Sequence, residues 1–278
     1  MNWPEFHHEA MATTFAIFIA GQPAEYARQA AAAAWRELDQ LENELSRYVE
    51  SSDIACANRL AQGETLRLGE SALECLLLAA AVSVATDRAF DVAYASQGTT
   101  ATLGNPPFTL DPENHTLTSH ATQLHLDLGA IGKGYALDRL AALLTEWQIS
   151  SACLQSGGST ALALSPPPDM QGWPVGIGDE ADQRSLALKQ SALSGSGIAV
   201  KGTHLIDPRR GTKAVRTNRT WAYAPTAAAS DALSTAFFIL SDAEIDAFCL
   251  AHAEIGAAAT RSDGSLAVSG ALRSLLGC

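Results

Sequence analysis

The residues best suited to chemistry lie in Asp127-Leu-Gly-Ala-Ile-Gly-Lys-Gly-Tyr135, which brings a carboxylate, a lysine and three glycines together. The preceding Thr122-Gln-Leu-His-Leu-Asp-Leu128 alternates apolar and polar residues like a half-buried strand, and apolar residues recur at helical spacing from Tyr135 onward. The glycines therefore fall in a strand-to-helix turn, where unpaired backbone N–H groups and the positive end of a helix dipole favour an anion. Gly129, Gly132 and Gly134 permit close approach to the backbone, and Lys133 supplies a point charge for a phosphoryl oxygen. A structural turn with a surface lysine has the same spacing. The pattern is neither the dinucleotide G-x-G-x-x-G nor the Walker G-x-x-x-x-G-K-[ST].

Two further segments carry complementary chemistry. Ala224-Pro-Thr-Ala-Ala-Ala-Ser-Asp-Ala-Leu-Ser-Thr-Ala-Phe-Phe-Ile-Leu240 starts with an early proline, continues with small residues and passes into a helical apolar pattern. Asp231 and Thr235 are four apart and share a helix face, so their oxygens suit a hard divalent cation such as Mg²⁺. A helical aspartate satisfied by a neighbouring Ser or Thr is the structural alternative. In Gly202-Thr-His-Leu-Ile-Asp-Pro-Arg-Arg-Gly-Thr212, a short strand bearing His204 runs into an Asp207-Pro208 turn closed by Gly211. A histidine of ordinary basicity, about 6.5, can take a proton from a hydroxyl nucleophile, with Asp207 orienting it or holding the turn. An ordinary surface or packed histidine reads the same way. The basic run Arg209, Arg210, Lys213, Arg216 and Arg219 reads as a solvated hairpin, with service to a diphosphate as its alternative. Together the segments are the parts of a metal-assisted phosphoryl or nucleotidyl transfer site.

The elements that must position these groups follow from periodicity. Met11 to Gly21 reads as a strand, and Ala24 to Leu45 as an alanine-rich helix with a Leu38, Leu41, Leu45 core stripe. Ser71-Ala-Leu-Glu74 reads as a capping box opening a helix to about Asp87, and Ser241-Asp-Ala-Glu244 as another. Asn105-Pro-Pro107 and Ser165-Pro-Pro-Pro-Asp169 are loops, too short for domain linkers. The expectation is one compact α+β domain over residues 1–278, with a weak seam near 100–120. A net charge of −12 opposes nucleic acid and anionic membrane surfaces as partners. Five cysteines without C-x-x-C spacing read as reduced core thiols. No window is long and apolar enough to span a membrane, and the N-terminus has no export signal or lipobox. A cytoplasmic location is expected, or a periplasmic one if a leader was removed.

In order and wording these segments resemble the ApbE flavin transferases (FAD:protein FMN transferases). The resemblance runs through Met11-Ala-Thr-Thr-Phe15, Leu45-Ser-Arg-Tyr48, Ala89-Phe-Asp-Val92, Asp127 to Asp138 and Gln155-Ser-Gly-Gly158. It continues through Ala192-Leu-Ser-Gly195, His204-Leu-Ile-Asp-Pro-Arg-Arg-Gly211 and Ala224 to Phe238. It implies an α+β fold of mixed, mainly antiparallel sheet with packed helices. It also implies an enzyme that binds FAD with Mg²⁺, splits the pyrophosphate, joins FMN to a threonine or serine of an acceptor flavoprotein and releases AMP. Carried over by position, Asp231, Thr235 and the Ala130 carbonyl hold the metal, and His204 activates the acceptor hydroxyl. Tyr48 and Met11 pack on the isoalloxazine, while Ala89, Phe90, Asp91, Asp127, Lys133 and Ile206 line the flavin nucleotide. The chain departs from the family pattern at Ala12, where a glycine is usual, at Ser159 and at Arg210. It is also shorter between Phe90 and Asp127 and in the loop 194–203.

Overall fold

The computed structural model describes residues 3–98, 105–178, 182–197, 206–213, 219–261 and 263–277. Its first half runs β1 (Glu5–Ala10), β2 (Thr13–Ile19), α1 (Ala24–Leu45), α2 (Asp53–Ala57), β3 (Thr65–Arg67), α3 (Glu70–Ala85), β4 (Phe108–Asp111), β5 (Thr116–Ser119) and α4 (Gly132–Glu146). There follow β6 (Ala152–Ser156), β7 (Thr160–Ala163), β8 (Trp173–Ile177), β9 (Arg184–Leu188), β10 (Ser191–Ser196), β11 (Ile206–Asp207) and β12 (Thr212–Lys213). The chain closes with β13 (Thr220–Ala224), α5 (Ala227–Ile239), α6 (Asp242–Ala251), β14 (Gly256–Thr260), β15 (Leu266–Gly270) and α7 (Ala271–Leu276).

The organising element is an eight-stranded sheet in the order β1-β2-β6-β7-β10-β13-β14-β15. Neighbours throughout it are antiparallel. Alternation along each strand sends two apolar sets to opposite faces. Phe15, Ile17, Leu154 and Leu162 join the helices in the main core. On the other face the β8–β9 hairpin lays Trp173, Ile177, Leu186 and Leu188 against Leu193 and Trp221. A smaller sheet, β3-β5-β4, lies in the region read as a seam.

Helix α1 coincides with its sequence reading, because Ala27, Ala30, Ala31, Ala34, Leu38, Leu41 and Leu45 form one buried stripe. The strand read from Met11 to Gly21 is instead the second arm of a hairpin. Met11 and Ala12 form its two-residue turn, both left-handed at φ 50° and 58°, the twist that tight hairpin turns favour. Glu42 Oε1 accepts the Met11 N–H at 2.8 Å and fastens that turn to α1. The segment 122–128 shows the expected alternation, with Leu124, Leu126 and Leu128 buried, but it pairs as a strand only through an isolated bridge, Gln97 to Gln123. Side chains replace the ladder: Asn58 bonds both the N–H and the carbonyl of Leu126, at 2.6 and 2.9 Å, and Ser96 Oγ accepts from His125 N.

The first capping box is not formed. Gly69 is the N-cap of α3, its N–H bonded to Asp53 Oδ2, and Glu74 turns away to accept from Tyr135 Oη at 2.7 Å. The second is formed: Ser241 Oγ caps α6 and Glu244 Oε2 accepts the Ser241 N–H at 2.7 Å. The Ser241 N–H and hydroxyl, with Arg209 beyond them, hold the Glu244 carboxyl down at about 2, against an ordinary 4.5. Its folded pKa is depressed, so its contribution is full above the unfolded value and disappears as pH falls through the window between them. Glu244→Ala is expected to cost about 1 kcal/mol at neutral pH. In urea unfolding the gap from wild type should close between pH 4.5 and 2.

Cys75, Cys153 and Cys249 are buried and Cys56 is partly so, all as free thiols. Among the described residues no helix is long and apolar enough to cross a membrane.

Candidate active site

The first turn of α4 and the later turns of α5 line a two-lobed cleft. One lobe, of 640 Å³, is lined by Met11, Ala89, Phe90, Asp91, Asp127, Ala130, Lys133, Ile206 and Thr235, nine of the residues picked out by resemblance. The other, of 510 Å³, has Tyr48 and Val49 in its wall. The lobes share Met11, Ala12, Arg47, Asp127, Gly129 and Lys133, so they form one continuous cleft. Segments from the N-terminal hairpin to the end of α5 thus contribute to a single wall. His204 lies outside the described residues.

The glycine-rich turn is built differently from its sequence reading. Gly129 alone keeps the role of a loop glycine, with its N–H bonded to Asp127 Oδ1 at 2.9 Å. Gly132 and Gly134 lie inside the first turn of α4 and are buried. The Gly132 N–H is used by the Leu128 carbonyl at 2.7 Å, and the Gly134 N–H by Asp231 Oδ2 at 3.3 Å. Gly134 is needed for packing: a Cβ there would sit 2.2 Å from the Ala227 carbonyl oxygen and 2.9 Å from Ala228 Cα. Lys133 ties the turn together, donating to the Gly129 carbonyl at 2.8 Å with its ammonium 3.7 Å from Asp231 Oδ2.

Asp231 and Thr235 stand one turn apart on α5. Asp231 is only 2% exposed, and its carboxylate accepts the Gly134 N–H while its main-chain carbonyl accepts from Ser234 Oγ. A carboxylate so desolvated and so thinly bonded favours a cation. Thr235 Oγ1 lies 3.3 Å from Ser196 Oγ and, like Ala130 across the cleft, reaches the cavity wall. Among the described residues no three His, Cys, Asp or Glu side chains come together as a metal cluster. A carboxylate, a hydroxyl and a main-chain carbonyl are hard-oxygen donors of the kind Mg²⁺ takes, though Asp231 itself is not among the residues lining the cleft.

The remaining walls are fixed by ion pairs. Asp91 is held by Arg88 and accepts the Ala93 N–H at 2.8 Å, so its carboxylate shapes the 91–94 turn. Asp127 faces Arg47 Nε at 3.3 Å. Arg47 also lies over the Tyr48 ring, 4.5 Å from its centroid, and donates to its hydroxyl at 2.6 Å. Tyr48 is 79% exposed at the cleft mouth, free to stack on a planar ligand. Arg47, Val92 and Tyr94 are wall residues that sequence reasoning missed. Arg47 lies next to a recognised motif residue, but its partner Asp127 is eighty positions away and only the fold joins them. In the basic run Arg209 bonds Asp207 and Glu244 rather than facing the cleft, Arg210 is exposed, and Arg219 stacks on Trp221.

Ala12 sits in the left-handed region, which favours glycine. Ala12→Gly is expected to raise stability by about 1 kcal/mol, read as a higher urea midpoint at unchanged slope.

An antiparallel sheet backed by helices, with one continuous cleft along its helical side, defines an α+β fold. The chain belongs to the ApbE family, whose model matches residues 11–259. It is similar to the FAD:protein FMN transferase of Treponema pallidum (strain Nichols), with 31% identity over 147 residues covering 45% of this chain and 41% of that protein. The match thus spans about two fifths of that relative's length. Flavin Transferase ApbE from Vibrio cholerae superposes with a TM-score of 0.84 at 19% identity, covering 99% of this chain and all of that one. Pseudomonas stutzeri flavinyl transferase ApbE, apo form, gives 0.84 at 20% identity, covering 100% and 98%. At those identities the likeness is one of fold.

Proposed function

We propose that this protein transfers FMN from FAD to a threonine or serine hydroxyl of an acceptor protein and releases AMP. The observation that carries this reading is the continuous cleft, with an exposed tyrosine beside one lobe and the Lys133–Asp231–Thr235 group beside the other. Such a cleft accepts a planar ring system joined to a pyrophosphate. The Treponema relative's name points to the same chemistry.

Asp231, Thr235 and the Ala130 carbonyl would hold Mg²⁺, which when bound neutralises pyrophosphate charge. Lys133 adds a fixed positive charge beside the same group. Tyr48 and Met11 position the isoalloxazine, and Asp127 with Arg47 separates the ring-binding end from the phosphate end. The acceptor hydroxyl attacks the FMN-side phosphorus, a new P–O ester bond forms, and the bond to the bridging oxygen breaks with AMP as leaving group. His204, matched by its place in the family motif, takes the hydroxyl proton. Ile206, the described residue nearest to it in sequence, lines the cleft.

The test is incubation with FAD, Mg²⁺ and a Ser/Thr-containing acceptor fragment, following the fragment's mass and AMP. Modified fragment with stoichiometric AMP supports transfer. Free FMN and AMP with unmodified fragment identify an FAD pyrophosphatase, and retained FAD without AMP a binding protein. His204→Ala is expected to keep FAD bound while transfer falls by at least about a hundredfold. Unchanged transfer in that variant removes the histidine from the mechanism.

A further inference from the structure

We propose that Asp138 is a positioning residue that sets α5, and with it Asp231 and Thr235, against the turn carrying Ala130 and Lys133. This rests on reading those residues as the cation site. Asp138 belongs to α4, yet its two carboxylate oxygens accept the Ala227 and Ala228 N–H groups, both at 2.8 Å. These are the first two residues of α5, whose N–H groups have no partner within the helix. The cap that α5 makes for itself, Thr226 Oγ1 to Ala229 N, is longer at 3.3 Å. The start of the helix is therefore anchored mainly by a neighbouring helix.

A second tie runs the other way. One turn before Asp138, the Gly134 N–H of α4 donates to Asp231 of α5 at 3.3 Å. Each helix thus offers a carboxylate to the other's backbone, and the three bonds bracket the Gly134–Ala227 approach that excludes a Cβ. A clasp with two carboxylates fixes both the spacing and the rotation of α5. Rotation decides where Asp231 and Thr235 point. Burial pushes the Asp138 carboxyl up to about 6, against the pull of its two N–H donors, so its negative charge is held in an unfavourable setting. Groups that orient metal ligands characteristically change affinity by ten- to a hundredfold when removed.

The test compares full-length wild type, Asp138→Ala, Asp138→Asn, Thr226→Ala and Asp231→Ala. Mg²⁺ alone is titrated calorimetrically, and thermal midpoints are recorded alongside. Asp138→Ala is expected to weaken Mg²⁺ binding by about tenfold or more. Asp138→Asn, which keeps one acceptor oxygen, should fall between it and wild type, and serves if the alanine variant does not fold. Thr226→Ala removes the ordinary cap of the same helix and should lower the midpoint while leaving Mg²⁺ affinity within about twofold. If Asp138→Ala or Asp138→Asn loses stability but binds Mg²⁺ like wild type, Asp138 is structural only and the proposal is overturned. If Asp231→Ala also binds like wild type, or wild type takes up no Mg²⁺, the cation-site reading itself fails and takes the proposal with it.

Discussion

Asp231→Asn is expected to reduce Mg²⁺-dependent turnover of FAD by about a thousandfold, on the order of 4 kcal/mol of transition-state stabilisation. The variant should nevertheless fold. The amide keeps an oxygen that can accept the Gly134 N–H, and Lys133 retains the Gly129 carbonyl at 2.8 Å. What disappears is the charge, and Asp231 is the one carboxylate of the oxygen set proposed with Thr235 and Ala130. Two measurements separate loss of the cation site from general damage. Without Mg²⁺ the thermal midpoint should move by no more than a few degrees. On adding Mg²⁺, wild type should gain stability by linkage, and the variant should not. Undiminished turnover in Asp231→Asn would refute the assigned role.

The second large effect is expected from the smallest change. Gly134→Ala places a methyl group 2.2 Å from the Ala227 oxygen and 2.6 Å from its carbon, and neither backbone atom can move without shifting α5. A cost of about 2–4 kcal/mol is expected. Because α5 carries the proposed ligands, Mg²⁺ affinity should fall together with stability. Gly132→Ala is the matched control: its Cβ would meet only Leu128 Cβ, at an ordinary 3.6 Å. With no clash to relieve and a position at the very start of the helix, Gly132→Ala should leave stability within about 1 kcal/mol of wild type. Chemical unfolding of both variants checks the pair, and equal stabilities would contradict the packing role given to Gly134.

Much of this was legible in the residues, for identifiable reasons. Helix α1 could be read to its ends because its burial obeys one period over 22 residues and it follows Pro23. The capping box of α6 is local chemistry within four residues, and it formed. The Ser71–Glu74 pattern is identical in kind, yet a distant partner, Tyr135, claims its glutamate. The stretch 122–128 has the alternation of a strand, but periodicity reports which side chains are buried and not what their backbone bonds to. Asn58 supplied those bonds from 68 positions away. The first hairpin was missed because Met11-Ala12 lacks the glycine or asparagine that marks a left-handed turn. Nine of the residues singled out by family resemblance, through their order along the chain, line the cleft. Arg47 and Asp138 were not singled out, since each acts on a partner 80 or more positions away.

The pairing of β2 with β6 sets Phe15 opposite Ser156. The N-terminal hairpin therefore has to wait for its neighbour while the ribosome adds well over a hundred residues, roughly 10–30 s at ordinary elongation rates. During that time β2 lacks its second sheet neighbour, and Phe15, Ile17 and Ile19 lack the cover of the completed core. Nascent chains halted before β6 should accordingly be protease-sensitive and hold chaperones, and release should coincide with emergence of the residues around Ser156.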